Sequence, residues 1–216
     1  MKKILLPLLL GCMLAATSCM KESTFSITNY YDFVTCLNGR LVSDSGASYT
    51  ITENNSGSED WKEEKSRFYI LCDILNRDLQ IRLKSVDKAL IEYASELPET
   101  EKEPDDPIGI TDSSLGGGYL NLVIQTYYNP ASNYARNISF HWKAEGEQLH
   151  FYVFYDGNHE SPVYTSEDQL KVGAKVYSIP LEPIIGSKQY YYMDITFYEL
   201  VNSAVERNTY RINYTN

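Results

Sequence analysis

Tyr190-Tyr191-Tyr192-Met193-Asp194-Ile195-Thr196-Phe197-Tyr198 alternates between two faces. Tyr191, Met193, Ile195 and Phe197 make one apolar stripe, and Tyr190, Tyr192, Asp194, Thr196 and Tyr198 make the other face. A period of two marks a half-buried strand. Outward from here the period recurs. Leu120, Leu122 and Ile124 oppose Tyr119, Asn121 and Gln125, and Ile138, Phe140 and Trp142 oppose Asn137, Ser139 and His141. Leu149, Phe151, Val153 and Tyr155 form the next face, and Tyr210, Ile212 and Tyr214 close the chain. Lys175 to Leu181 contains Pro180, which suits a sheet edge or a strand end. Six or seven short strands at this spacing predict an antiparallel β-sandwich over residues 108–216. The 19 tyrosines, against 7 phenylalanines, fit such sheets, because the ring packs while the hydroxyl reaches water.

Upstream, the pattern predicts a second, smaller β domain over residues 29–95. Tyr31, Phe33, Thr35 and Leu37 share one face of a strand, and Asn38-Gly39 offers a turn unless that strand runs on through Leu41 and Val42. Tyr49 and Ile51 mark another strand. Phe68, Ile70, Cys72 and Ile74 alternate with Tyr69 and Leu71, and Asn76-Arg77-Asp78 leads tightly into Leu79, Ile81 and Leu83. Glu53 to Glu64 is polar around a lone Trp61 and reads as a long exposed loop. Val86 to Leu97 fits either helical spacing or a short turn plus a fifth strand. Residues 96–107 hold six acids and Pro98, Pro104 and Pro107 with almost nothing apolar. Self-repulsion and proline predict an extended linker that few contacts cross, and so two domains separable by proteolysis. The acids lack the EF-hand order of oxygens around a central Gly, so calcium is not expected there.

The start of the chain is an address. Lys2 and Lys3 precede the apolar run Ile4 to Ala16, which is shorter than the roughly 20 residues a bilayer span needs. Small residues follow at Ala16-Thr17-Ser18 before Cys19, which resembles a bacterial lipobox. The rival Leu9-Leu10-Gly11-Cys12 leaves too short an apolar core. Residues 1–18 are therefore expected to be a lipoprotein signal peptide, Cys19 the lipidation site and residues 19–28 a tether. Several acyl chains make a lasting membrane anchor, unlike a single myristate. Met20-Lys21-Glu22 matches only in part the surface-export signals of lipoproteins from gut and oral anaerobes. The expected place is the cell envelope, on an outer-membrane lipoprotein, with surface display as an option.

Charge and motifs narrow the function classes. Loss of residues 1–18 removes two lysines and leaves a net charge of −12. Nucleic acid is excluded as a partner, because phosphate contacts need clustered Lys and Arg. No Ser sits in a Gly-x-Ser-x-Gly elbow, and Gly116-Gly117-Gly118 leads into a strand rather than a phosphate-binding helix. The glycines suit a tight turn instead. Of His141, His150 and His159, only the first two could oppose each other across a hairpin, and zinc requires three or four ligands with a supporting second shell, so no metal or cofactor is expected. The chain reads as a non-enzyme. Its candidate ligand-binding residues are Tyr190, Tyr192, Asp194 and Tyr198, flat rings beside an acid that would suit a glycan or a protein partner. Two readings stand: an anchored binding module, or a structural subunit of an envelope assembly.

Asp106-Pro107-Ile108 through Leu115-Gly116-Gly117-Gly118-Tyr119-Leu120-Asn121-Leu122 resembles the start of the C-terminal domain of NigD-like proteins. Tyr69-Ile70-Leu71-Cys72-Asp73-Ile74-Leu75 and Ile81-Arg82-Leu83 fall where that family has its N-terminal barrel. The resemblance implies an all-β envelope lipoprotein, an OB-like barrel followed by a β-sandwich, with Val86–Leu97 as a turn and a fifth strand. It implies a link to bacteriocin gene clusters and immunity, and it carries no catalytic residues. On that arrangement the strands holding Cys36 and Cys72 flank a third. Two inter-strand steps then separate them by roughly 9 to 10 Å, beyond the ~7 Å that a disulfide spans. Both thiols are expected free.

Overall fold

The computed structural model describes residues 25–99, 103–186 and 192–213. The expected signal peptide, Cys19 and Tyr190 lie outside them.

Five strands close a small barrel: β1 (Ile27–Leu37), β2 (Arg40–Ser43), β3 (Ser48–Asn54), β4 (Arg67–Ile74) and β5 (Gln80–Lys88). Their order around it is β1-β2-β3-β5-β4, with β4 pairing back onto β1. Asn38 and Gly39 both take positive φ, 52° and 72°, between the paired residues Leu37 and Arg40. That two-residue turn matches the twist of its strands and starts β2, so the chain does not run straight on. This hairpin supplies the extra barrel strand; Val86–Leu97 does not. Val34, Cys36, Leu41, Phe68, Ile70 and Leu83 are completely buried in the barrel core. The face of Tyr31, Phe33, Thr35 and Leu37 is the outer one, with Tyr31 and Leu37 exposed and Phe33 packed against the second domain. The polar 53–64 stretch holds a short 3-10 turn at Asp60–Lys62, and its Trp61 packs on the barrel core.

Cys36 and Cys72 are free and buried, for a different reason from the one expected. β1 and β4 are direct neighbours, with Cys72 opposite Tyr30 and Arg67 opposite Thr35. Register keeps the thiols apart: Cys36 is six residues along β1 from the partner of Cys72, about 20 Å at the rise of a strand.

The second domain is a two-layer sandwich of seven strands: β8 (Ile108–Gly116), β9 (Tyr119–Tyr128), β10 (Asn137–Glu145), β11 (Gln148–Asp156), β12 (Lys171–Pro180), β13 (Tyr192–Val201) and β14 (Ala204–Asn213). Two short strands, β6 (Leu90–Ile91) and β7 (Ser95–Glu96), add to its edges. One sheet runs β14-β13-β11-β10-β7 and the other β6-β12-β9-β8. Phe140, Phe151, Leu122, Ile179 and Ile195 fill the space between. The sandwich is not antiparallel throughout. β11 and β13 pair in parallel, because the intervening β12 lies in the opposite sheet and returns the chain in its original direction.

The segment between the domains corrects a second expectation. Leu90–Ile91 pairs in parallel with Tyr177–Ser178 of one sheet, and Ser95–Glu96 pairs with His141–Trp142 of the other. The chain is thus a strap across an open side of the sandwich, neither helix nor barrel strand. Leu97 N donates to Trp142 O at 2.8 Å, and Glu103 lies 3.7 Å from Arg207. Asp106 is buried and accepts from Gly157 N and His159 N at 2.8 and 3.0 Å. On both sides of residues 100–102, which are not described, the segment is attached to the sandwich rather than free of it.

The two bodies also meet directly. Phe33, Ala89, Val123 and Val176 form a buried apolar patch against Tyr69, whose hydroxyl donates to Asp112 at 2.6 Å. Beside it Arg67, 4% exposed, grips Asp44 with two hydrogen bonds of 2.9 and 2.7 Å. Its remaining donors reach Thr35, Ser178 and Asn121 at 2.9–3.1 Å, and its plane lies 4.0 Å over the Tyr119 ring. Asn121 Nδ2 donates back to Asp44 at 2.8 Å. Such a fully bonded buried pair fixes one geometry, since an unpartnered charge there would be strongly unfavourable.

Candidate functional site

Period two places Tyr192, Asp194 and Tyr198 together on the outer face of β13, opposite Met193, Ile195 and Phe197 in the core. Tyr192 and Tyr198 are half-buried there. Their surroundings differ from a bare aromatic patch. Arg211 stacks 3.9 Å over Tyr192, and Arg207 lies 6.0 Å from Tyr198 and 5.8 Å from Tyr152. Asp194 is only 7% exposed, and Arg211 meets both its oxygens at 2.7 and 2.9 Å, with Gln148 donating as well. The Arg211 guanidinium holds the Asp194 carboxyl below the usual carboxylate range, although burial opposes it. This acid is therefore not a free acceptor for a ligand. The strand β14 supplies both arginines, a pairing that the pattern of β13 alone does not reveal.

The histidines are dispersed. His141 Nδ1 lies 3.0 Å from Ser95 Oγ, His150 Nε2 is 3.8 Å from Glu145, and His159 Nδ1 is 2.9 Å from Asp106.

A cleft forms where the barrel mouth faces the sandwich. Its volume is about 480 Å³. The barrel contributes Tyr30, Asp32 and Phe33 of β1 and the turn Ser43-Asp44-Ser45. The sandwich contributes the β8–β9 hairpin from Ser114 to Tyr119, and Leu181. Gly117 and Gly118 take φ of 58° and 84° between the paired Gly116 and Tyr119, so this is another two-residue turn with two positive φ values. A Cβ on Gly116 would stand 2.7 Å from Asp44 Cβ, closer than carbon atoms approach. The triple glycine thus lets the hairpin tip seat on the barrel beside the Arg67–Asp44 pair.

Asp32 stands apart in this wall. It follows the inward alternation of Tyr30, Val34 and Cys36, and Tyr49 Oη donates to its Oδ2 at 2.7 Å. Burial pushes its carboxyl up, and the charge of Asp44 adds to that. Donors from Tyr49, Ser43 and the Phe33 backbone offset only part. Among the described residues no ion pair involves it, and no cation is among the main influences on it. The sequence does contain a signal for it, an acid at an inward strand position, which the tyrosine pattern elsewhere overshadows.

No known family's sequence pattern matches this chain, and no curated protein matches it in sequence. Solved structures do match. A protein of unknown function from Bacteroides vulgatus superposes with a TM-score of 0.65 at 15% identity, over 88% of this chain and 92% of its own. A NigD-like immunity protein from Bacteroides caccae gives 0.58 at 11% identity, over 88% of this chain and 98% of its own. The fold is NigD-like. A candidate lipoprotein from Bacteroides fragilis superposes on this chain with a TM-score of 0.57 at 13% identity, over 87% of this chain and 99% of its own. At these identities the NigD-like likeness concerns architecture, a five-stranded barrel carrying a β-sandwich.

Proposed function

We propose that this chain is a lipid-anchored protein of the bacterial envelope that binds a ligand in the cleft between barrel and sandwich and performs no chemistry on it. The cleft carries the reading. At about 480 Å³ it has the size of a small-molecule site, it lies at a domain junction where such sites gather, and aromatic rings and a few polar groups converge on it. One of those groups, Asp32, is a half-buried acid whose carboxyl is pushed up by burial and which makes no ion pair among the described residues, as residues retained for function often are. The lipobox-like Ala16-Thr17-Ser18-Cys19 supports the anchor, and so does the NigD-like fold shared with a candidate lipoprotein. The membrane is one partner through that anchor; a glycan, peptide or protein toxin is the other. The immunity role named for the Bacteroides caccae structure is consistent with capture of a toxin. Display on the outer membrane completes the reading.

A structural-subunit reading has one observation in its favour. Leu90, Ile91 and Tyr93 on the strap are exposed in a row, an apolar edge that an assembly partner would cover.

The test has two parts. Cys19→Ala should abolish acyl labelling and release the protein from membranes; retention with label would refute the anchor. A photo-crosslinker at Ser45→Cys, on the cleft rim, should yield a discrete adduct in native envelopes that the same probe at Val172→Cys does not. Identical adducts from both positions, or none from Ser45→Cys, would remove the cleft as the site.

A further inference from the structure

Every inward residue of β1 near the barrel core is aromatic, apolar or a thiol except Asp32. At that position an apolar side chain would complete the core, and the chain instead carries a charge. The field of this carboxylate reaches inward, where burial first and Asp32 second push the Cys72 thiol up to about 11. The other acid of the wall, Asp44, is already neutralised by Arg67 and bonded by Asn121. Among the described residues the cleft therefore has one uncompensated charge, and it is negative. An anionic ligand would be repelled by it. A neutral ligand would strip water from Asp32 and supply no countercharge.

We propose that the cleft binds a small organic molecule through a primary ammonium group, with Asp32 as its counter-ion; this rests on the cleft being the ligand site. The geometry selects among cations. Asp32 already accepts from Tyr49 at Oδ2, and Ser43 and the Phe33 backbone also donate to the carboxylate, so it has room for a single-point contact at most. That suits a compact ammonium and not the two-pronged grip of a guanidinium. The hydroxyls of Ser43 and Ser45 stand in the same wall for the remaining N–H donors. The ring of Tyr30 lines the cleft, and aromatic faces attract cations at short range; the other lining ring, Tyr119, already carries Arg67 on one face. Amino sugars and lysine-type side chains share this chemistry and fit a space of about 480 Å³.

Calorimetric titration of the full acylated chain in detergent near neutral pH separates the possibilities. The charged probes are glucosamine and Nα-acetyl-lysine methylamide; the neutral counterparts are N-acetylglucosamine and Nα-acetyl-norleucine methylamide. At least one charged probe should bind on the order of tenfold or more tighter than its counterpart, and which one does so identifies the source of the amine. Asp32→Asn, which keeps an acceptor for Tyr49, should remove the difference. In the unaltered protein, binding should weaken as the pH falls and Asp32 takes up a proton. Equal binding of charged and neutral probes, blocked by a label at Ser45→Cys, would overturn the ammonium inference and leave the cleft as the site. Absence of binding by both charged probes would overturn the inference outright, while the crosslinking result decides the cleft separately.

Discussion

Asp32 ties stability and binding together at one side chain. Its folded-state carboxyl is raised, chiefly by burial, above the value of about 3.9 that it has in an unfolded chain. Between those two values the native protein holds a proton that the unfolded chain has released. Stability therefore falls as the pH rises through that window, and above it the whole penalty is present. Asp32→Asn removes a charge and keeps the acceptor, so at pH 7 it should leave the protein more stable in urea, with the gain vanishing below about pH 4. A loss of stability at pH 7 would mean that the charge holds the barrel together. The outward placement of Tyr192 and Tyr198 was legible in the sequence, because strand alternation is local. The roles of Asp194, Arg67 and Asp106 were not. Their partners stand on other strands or across the domain junction, as far apart as Arg67 and Ser178.

The strands with strong alternation, β4, β9, β10, β11 and β13, could be read from the sequence. β8 could not, since Ile108-Gly-Ile-Thr-Asp-Ser-Ser-Leu-Gly116 has no steady period and owes its pairing to β9. The strap escaped for a similar reason: two residues at a time on a sheet edge leave no pattern. The triple glycine was legible as a turn, but what the turn seats on was not. That seat is testable within one hairpin. Gly118→Ala meets open space and bears only the backbone strain of a positive φ, about 1–2 kcal/mol. Gly117→Ala bears the same strain and adds a collision with Asp44. In denaturant titrations Gly117→Ala should lower the midpoint further than Gly118→Ala, with the slope unchanged. Equal losses would show that the hairpin tip does not press on the barrel.

At the scale of the molecule, barrel and sandwich are joined by three sets of contacts: the strap on the sandwich edges, the apolar patch around Phe33, and the hydrogen bonds from the barrel's Arg67–Asp44 pair to Asn121 and Ser178. The cleft exists only while these hold the barrel mouth against the β8–β9 hairpin. Charge and proline in residues 96–107 argued for a spacer, because composition reports what a segment would do alone. The sandwich overrides it by offering unpaired edges and backbone donors for Asp106. Two domains on a loose tether would melt independently; two domains joined by buried hydrogen bonds, from Arg67 and Asp44 of the barrel to Asn121 and Ser178 of the sandwich, would melt as one. Scanning calorimetry of the full chain carrying Cys19→Ala, which dispenses with detergent, measures this directly. A single cooperative transition, with calorimetric and van't Hoff enthalpies equal, is the expected result. Two resolved transitions, each with its own enthalpy, would contradict a fixed junction and with it the cleft as a standing site.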